Sequence, residues 1–69
     1  MSLAKVIEVL AEGTTVEAAV ESAVAEVSES VREVRHVYVE SFQAIIENNA
    51  VARYRVNAKV TFIVDDARP

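Results

Sequence analysis

The chain has 69 residues, no cysteine and four aromatic side chains, yet 52% of its residues are hydrophobic. This length allows one small domain, expected to span residues 1–69. The lack of cysteine excludes disulfides, cysteine-based metal clusters and thiol chemistry. A chain this short buries only about 60% of the surface that its unfolded form exposes, so a monomer is marginally stable. We therefore expect self-association to cover part of the apolar surface.

Charge and hydropathy exclude two further classes of partner. The net charge is −4, from 11 acidic and 7 basic side chains, which opposes a role that depends on neutralising phosphates. The apolar runs are too short to cross a bilayer, and the N-terminal region lacks the basic-then-apolar layout of a secretory signal. We expect a cytoplasmic protein with neither a nucleic-acid nor a membrane partner.

The first half of the chain predicts a strand followed by a helix. Residues 3–10 are apolar and β-branched, which is typical of a strand, and Gly13 closes it. Thr14 and Glu17 have the capping-box spacing that marks a helix start. Apolar residues then recur at helical spacing, which predicts one amphipathic helix of about 18 residues. These residues are Val16, Ala19, Val20, Ala23, Val24, Val27 and Val31.

The second half predicts two long strands, residues 34–47 and 51–64, joined by a tight turn at Asn48 and Asn49. Apolar residues occupy the even positions from Tyr54 to Val64, and polar residues occupy the odd positions from Arg53 to Thr61. In the strand of residues 34–47, unbroken alternation would place Val37, Val39 and Ile45 on one face. The opposite face would carry His36, Tyr38, Phe42, Ala44 and Ile46. Asp65 and Asp66 open a short polar tail.

The predicted architecture is α+β with the order β-α-β-β, a three-stranded antiparallel sheet packed on one helix. A single helix covers one face of the sheet, and the two long strands extend beyond it. Tyr38, Phe42 and Ile46 would then form an exposed apolar patch, which soluble monomers avoid. We therefore predict a homo-oligomer.

The sequence resembles the dodecin family over essentially its whole length. The resemblance lies in the order of the elements and in five matched segments rather than in one motif. These segments are Lys5-Val6-Ile7-Glu8, the helix alanines Ala19 and Ala23, Val31 to Val34, Arg53-Tyr54-Arg55-Val56 and Lys59-Val60-Thr61-Phe62. The resemblance implies a hollow, spherical homododecamer that binds small ligands between subunits and catalyses no reaction. Flavin, as riboflavin or FMN, is the family ligand.

The resemblance also identifies ligand-binding candidates, namely His36, Arg55 and Tyr38. His36 stands where flavin-binding members have a tryptophan, and Arg55 stands where they have a glutamine. An imidazole offers less stacking area than an indole, and a guanidinium only donates hydrogen bonds. Both changes weaken the usual flavin sandwich, and both resemble the tryptophan-less members described as calcium-binding dodecins. His36 is otherwise an ordinary polar strand residue, and Tyr38 an aromatic residue at a subunit interface.

Several alternatives remain open at this point. Arg55 either contacts an anion or pairs with acidic helix residues across a subunit interface. Glu8, Glu12, Glu17 and Glu21 are weak candidates for calcium, since their spacing matches no EF-hand loop. The assembly could also hold another anion, be purely structural or bind RNA on its basic strand. No phosphate-binding loop or nucleophile–base pair indicates an enzyme.

Overall fold

A computed structural model, described here for residues 2–65, contains three strands and one helix. The elements are β1 (Ser2–Gly13), α1 (Val16–Ser28), β2 (Glu33–Glu47) and β3 (Ala50–Asp65). The strands pair antiparallel in the order β1-β3-β2, so β3 lies at the centre of the sheet. The predicted β-α-β-β order and antiparallel sheet are confirmed. Asp65 belongs to β3 rather than to a tail, while Asp66 lies outside the described residues.

The helix begins one residue later than the capping box predicts. Thr15, not Thr14, is the N-cap, and its Oγ1 accepts a hydrogen bond of 2.9 Å from the Ala18 amide. Glu17 is therefore the second helical residue and lies in the first turn, where a carboxylate interacts favourably with the helix dipole. The predicted Thr14–Glu17 capping box is wrong because the threonine that reaches an orphan amide is the next one along the chain.

The helix also ends earlier than its apolar stripe suggests. It has 13 residues rather than about 18, and the Ser30 and Val31 amides both donate to the Val27 carbonyl as the chain turns away. Val31 thus follows the helix although it continues the helical spacing. At the other end, Gly13 is required by close packing, because a Cβ there would lie 2.5 Å from the Ala19 amide nitrogen.

The core lies between α1 and the central strand. Ala19, Ala23 and Val27 of the helix are buried against the even positions of β3. The small alanine side chains allow the helix to approach the sheet closely, and Val56, Ala58 and Val60 have no exposed surface. The predicted even-position face of β3 is confirmed. The buried β3 residues are Val56, Ala58, Val60 and Phe62.

Three irregularities in the β2–β3 pairing change which face the β2 side chains occupy. The register shifts between Val34 and His36, between Val39 and Ser41, and between Ile45 and Ile46. Each bulge interrupts the alternation, so a fixed odd–even rule fails along β2.

The second shift separates two aromatic residues that were predicted to share a face. Tyr38 pairs with Lys59 on the face away from the helix, whereas Phe42 pairs with Val56 on the helix side. Paired residues of an antiparallel ladder point to the same face. By the same argument Ile45, paired with Arg53, is not on the face of Val37 and Val39. The predicted grouping of the β2 residues is wrong after Glu40, at Phe42, Ala44 and Ile45, because the extra residue at Glu40 reverses the alternation.

The β2–β3 hairpin closes as predicted. Asn48 and Asn49 have φ values of 53° and 61°, and Glu47 pairs with Ala50 across them. Two consecutive residues with positive φ form the type I′ geometry that matches the twist of the strands. Asparagine adopts this conformation more readily than most residues other than glycine.

Replacing Thr15 tests the corrected helix start. We expect Thr15→Ala to lower the free energy of unfolding by about 1 kcal/mol, because the Ala18 amide loses its acceptor. Thr14→Ala, the matched control, should change it by less than about 0.5 kcal/mol. Urea unfolding at one fixed protein concentration measures both. An equal loss in the two variants would contradict the assignment of Thr15 as the cap.

Candidate ligand-binding face

The face of the sheet opposite α1, called here the helix-free face, carries most of the candidate residues. The odd positions of β3 from Arg53 to Ile63 point to this face because the even positions pack on the helix. The register adds the residues that pair with them. From β1 these are Ala4, Val6, Glu8, Leu10 and Glu12, and from β2 they are Glu33, His36, Tyr38, Ser41, Gln43 and Ile45.

Two arginines and two glutamates form a connected charge network at one end of this face. Glu12 accepts from both arginines: Arg53 Nε donates to Oε1 at 2.8 Å, and Arg55 donates to Oε2 through Nε at 2.9 Å and Nη2 at 2.7 Å. Arg53 Nη1 also donates to Glu47 Oε2 at 3.0 Å. The register explains the contact, since Glu12 pairs directly with Arg55. One carboxylate therefore holds two guanidinium groups.

The network shifts the pKa of two of its members. Hydrogen bonds from Arg55 and then Arg53 lower the pKa of Glu12 from its ordinary value of 4.5. Hydrogen bonds to Glu47 and Glu12 raise the pKa of Arg53. Both groups thus keep their charges at neutral pH. Because the side chains of Glu12 and both arginines are more than a third exposed, salt should screen the interaction.

Within its own chain, Arg55 has a partner that the sequence did not predict. The sequence suggested an external anion or acidic helix residues of another subunit, whereas the structure pairs Arg55 with a strand residue of its own chain. Arg55 and Glu12 are 43 residues apart in the chain, and the register between β1 and β3 brings them together.

The remaining cation of the basic strand is also close to an acid. Lys59 Nζ lies 3.6 Å from Glu40 Oε1, and Glu8 pairs with Lys59 across the ladder. The three cations of the RNA-binding alternative, Arg53, Arg55 and Lys59, thus each have a carboxylate of the same chain within 4 Å. A surface whose cations are neutralised in this way offers little net attraction to a phosphate backbone.

His36 and Tyr38 lie near the opposite end of the helix-free face. His36 pairs with Thr61 and Tyr38 pairs with Lys59, so the two rings are neighbours on one side of β2. Both side chains are exposed, Tyr38 by 63%. Thr61 and Arg55 are six residues apart on β3, about 20 Å at 3.3 Å per residue. One chain does not bring His36 and Arg55 together.

The structure reveals two polar residues that the sequence did not single out. Gln43 pairs with Arg55, which places a neutral amide next to the charge network. Asn57, in the central strand, has a buried Oδ1 without a hydrogen-bond partner. It lies between Leu10 of β1 and Ser41 of β2. Gln43 could not be placed from the sequence because its face depends on the bulge at Glu40.

The weak calcium candidates do not converge within one chain. Glu8 and Glu12 are four residues apart on β1, Glu17 and Glu21 lie on the helix, and Glu12 is occupied by two arginines. Among residues 2–65, no three acidic or histidine side chains come close enough to hold a metal ion. A cavity of about 490 Å³ is lined by residues 30–33 and 62–64 and contains none of the candidates.

The fold and this face together define a class of protein. It is a small β-α-β-β domain in which one helix covers one side of a sheet and the other side presents charged and apolar residues. In the described part of the chain, no helix is long and apolar enough to cross a membrane.

Comparison with known proteins identifies the family. The family described as Dodecin matches residues 3–65. A point mutant of the Thermus thermophilus dodecin has a TM-score of 0.87 at 22% identity, covering 97% of this chain and 100% of that one. For the dodecin from Streptomyces davaonensis the TM-score is 0.86 at 17% identity, with coverage of 94% and 97%. The dodecin from Streptomyces coelicolor gives 0.86 at 27%, with 96% of each chain covered.

No curated protein matches the chain. The family match nevertheless spans nearly all of it, and the chain therefore belongs to the dodecin family.

The lowered pKa of Glu12 predicts a specific acid response. A carboxylate whose pKa is lower in the folded state stabilises the fold above its unfolded pKa, and that stabilisation is lost as the pH falls through the folded value. We therefore expect Glu12→Gln to lower the free energy of unfolding at neutral pH. The difference from wild type should disappear in strong acid. Urea midpoints measured from neutral to acidic pH test this.

Glu8→Gln is the matched control for this measurement. It removes the same charge from the same face of the same strand, but Glu8 forms no ion pair within 4 Å in the described part of the chain. Its acid response should follow that of wild type more closely. A pH-independent difference between wild type and Glu12→Gln would contradict the prediction.

Proposed function

We propose that this dodecin is a non-catalytic homododecamer that holds small ligands at sites between its subunits. The observation that carries the proposal is the amount of apolar surface left uncovered in one chain. Among the described residues, eight large hydrophobic side chains are exposed, whereas the buried core has four large side chains and three alanines. Leu10, Tyr38 and Phe42 are each at least 60% exposed, on both faces of the sheet. Isolated soluble domains avoid such surface.

The shape of the chain supports the same proposal. Its radius of gyration is 14.4 Å, against about 11 Å for a compact domain of 69 residues. β1 and β2 are the edge strands of the sheet. The outward-facing backbone N–H and C=O groups of each edge strand are not paired with a further strand among the described residues. Contacts with further copies would cover these edges and the apolar side chains together.

A ligand site between subunits follows from the positions of the candidate residues. His36 and Tyr38 provide two adjacent rings on the helix-free face, suited to stacking on a planar ligand. Along β3, Arg55 lies about 13 Å from the residue that pairs with Tyr38 and about 20 Å from the residue that pairs with His36. A second copy would therefore be needed to bring an Arg55 close to both rings. Flavin, as the family ligand, is the first candidate for the planar molecule. The single domain of residues 1–69 and the cytoplasmic location stay predictions.

Two measurements distinguish ligand storage from the alternatives: riboflavin fluorescence tests a purely structural assembly, and chelator addition tests a calcium-dependent one. A structural assembly would leave riboflavin fluorescence unchanged. A calcium-dependent one would lose mass or melting temperature when a chelator is added. No contact among residues 2–65 favours calcium over the ring platform.

The native mass tests the assembly. Twelve chains of 7.5 kDa give about 90 kDa, which light scattering at micromolar concentration should detect. Phe42→Glu should reduce this mass, because a charge would replace an apolar side chain that the helix does not cover. Ala25→Glu, on the exposed side of α1, is the control and should keep it. A wild-type mass of one chain would overturn the proposal.

Riboflavin binding tests the site. We expect weak quenching of riboflavin fluorescence by wild type and about tenfold tighter binding by the His36→Trp, Arg55→Gln double variant. The indole supplies stacking area, and the amide can both donate and accept. Phe42→Trp, which places an indole on the other face of β2, should give no such gain. Equal affinities for wild type and the double variant would show that these positions do not form the site.

A further inference from the structure

The Glu12–Arg55 contact has a consequence for the kind of ligand that the helix-free face accepts. We propose that Glu12 is a specificity-determining residue that acts as an internal anion on the Arg53–Arg55 pair and so excludes anionic ligands. The inference rests on the proposed function, in which this face contacts the ligand. The part of the ligand that contacts this end of the face would then carry no charge.

The geometry of the hydrogen bonds supports this role. Arg55 uses Nε and Nη2, the edge of the guanidinium that suits a carboxylate or phosphate, and both donate to one Glu12 oxygen. Arg53 uses its Nε on the other oxygen and its Nη1 on Glu47. An external anion would therefore have to displace Glu12 before it could bind the same edge of Arg55.

The charge balance leads to the same conclusion. Arg53 and Arg55 contribute two positive charges, and Glu12 and Glu47 contribute two negative charges within 3.1 Å of them. Gln43, which pairs with Arg55, adds no charge. The guanidinium of Arg55 has therefore not given this end of the face a net positive charge. Neutralising Glu12 would leave one excess positive charge and expose the Nε–Nη2 edge of Arg55.

A purely structural role for Glu12 makes a different prediction. Half-exposed ion pairs contribute little stability, so the Glu12→Gln chain should still fold. If Glu12 served only to tie β1 to β3, its loss would lower stability and leave anion binding unchanged. A gain of anion affinity is therefore the readout that separates the two roles.

Calorimetry with inorganic phosphate at neutral pH and low ionic strength tests the proposal. Glu12→Gln should bind phosphate at least about tenfold more tightly than wild type. Glu8→Gln changes the net charge equally, but lies opposite Lys59 rather than the arginine pair. It should bind like wild type. Adding Arg55→Gln to Glu12→Gln should remove the gain.

Two results would overturn the proposal. One is a wild-type protein that binds phosphate as tightly as the Glu12→Gln variant. The other is an equal gain in Glu8→Gln, which would make the effect one of net charge alone. The native mass of each sample is measured alongside. A monomeric mass with a Glu12-specific gain would contradict the dodecamer and leave the role of Glu12 standing.

Discussion

The mismatch in length between the helix and the strands is the constraint on which the rest of this structure depends. Thirteen helical residues extend for about 20 Å, whereas the strands of 15 and 16 residues extend for about 50 Å. The core is accordingly small and restricted to the part of β3 that the helix reaches. Phe42, although on the helix side of the sheet and paired with the buried Val56, lies on the edge strand β2 and is exposed. Contact with other molecules would stabilise a chain of this shape by covering its exposed apolar side chains.

The helix-free face combines two surfaces with different chemistry. At one end His36 and Tyr38 present aromatic rings; at the other, Glu12 and Glu47 balance Arg53 and Arg55. The charges of this network satisfy one another within the chain, since every arginine there has a carboxylate within 3.1 Å. Arg55, considered without its partner, suggests an anion site. With Glu12 in place, Arg55 joins β3 to β1 within the chain.

The sequence predicted the fold well where one local signal was enough. The even positions of β3, the apolar stripe of the helix and the Asn48–Asn49 turn each depend on residues that are close in the chain, and the structure agrees. Prediction failed where two signals competed. Thr14 and Thr15 are both good caps, and the spacing to Glu17 favoured the wrong one. Val31 continued the helical spacing although the helix ends at Ser28.

The sequence by itself determined the order of the elements, the buried side of the central strand and the family to which the chain belongs. These follow from periodicity and from residue types matched along one line of sequence. Only the tertiary structure decided the partner of Arg55 and the face of Phe42. Glu12 and Arg55 are 43 residues apart, and their contact depends on the register between β1 and β3. The face of Phe42 depends on a single extra residue at Glu40, because one bulge reverses every side chain that follows it.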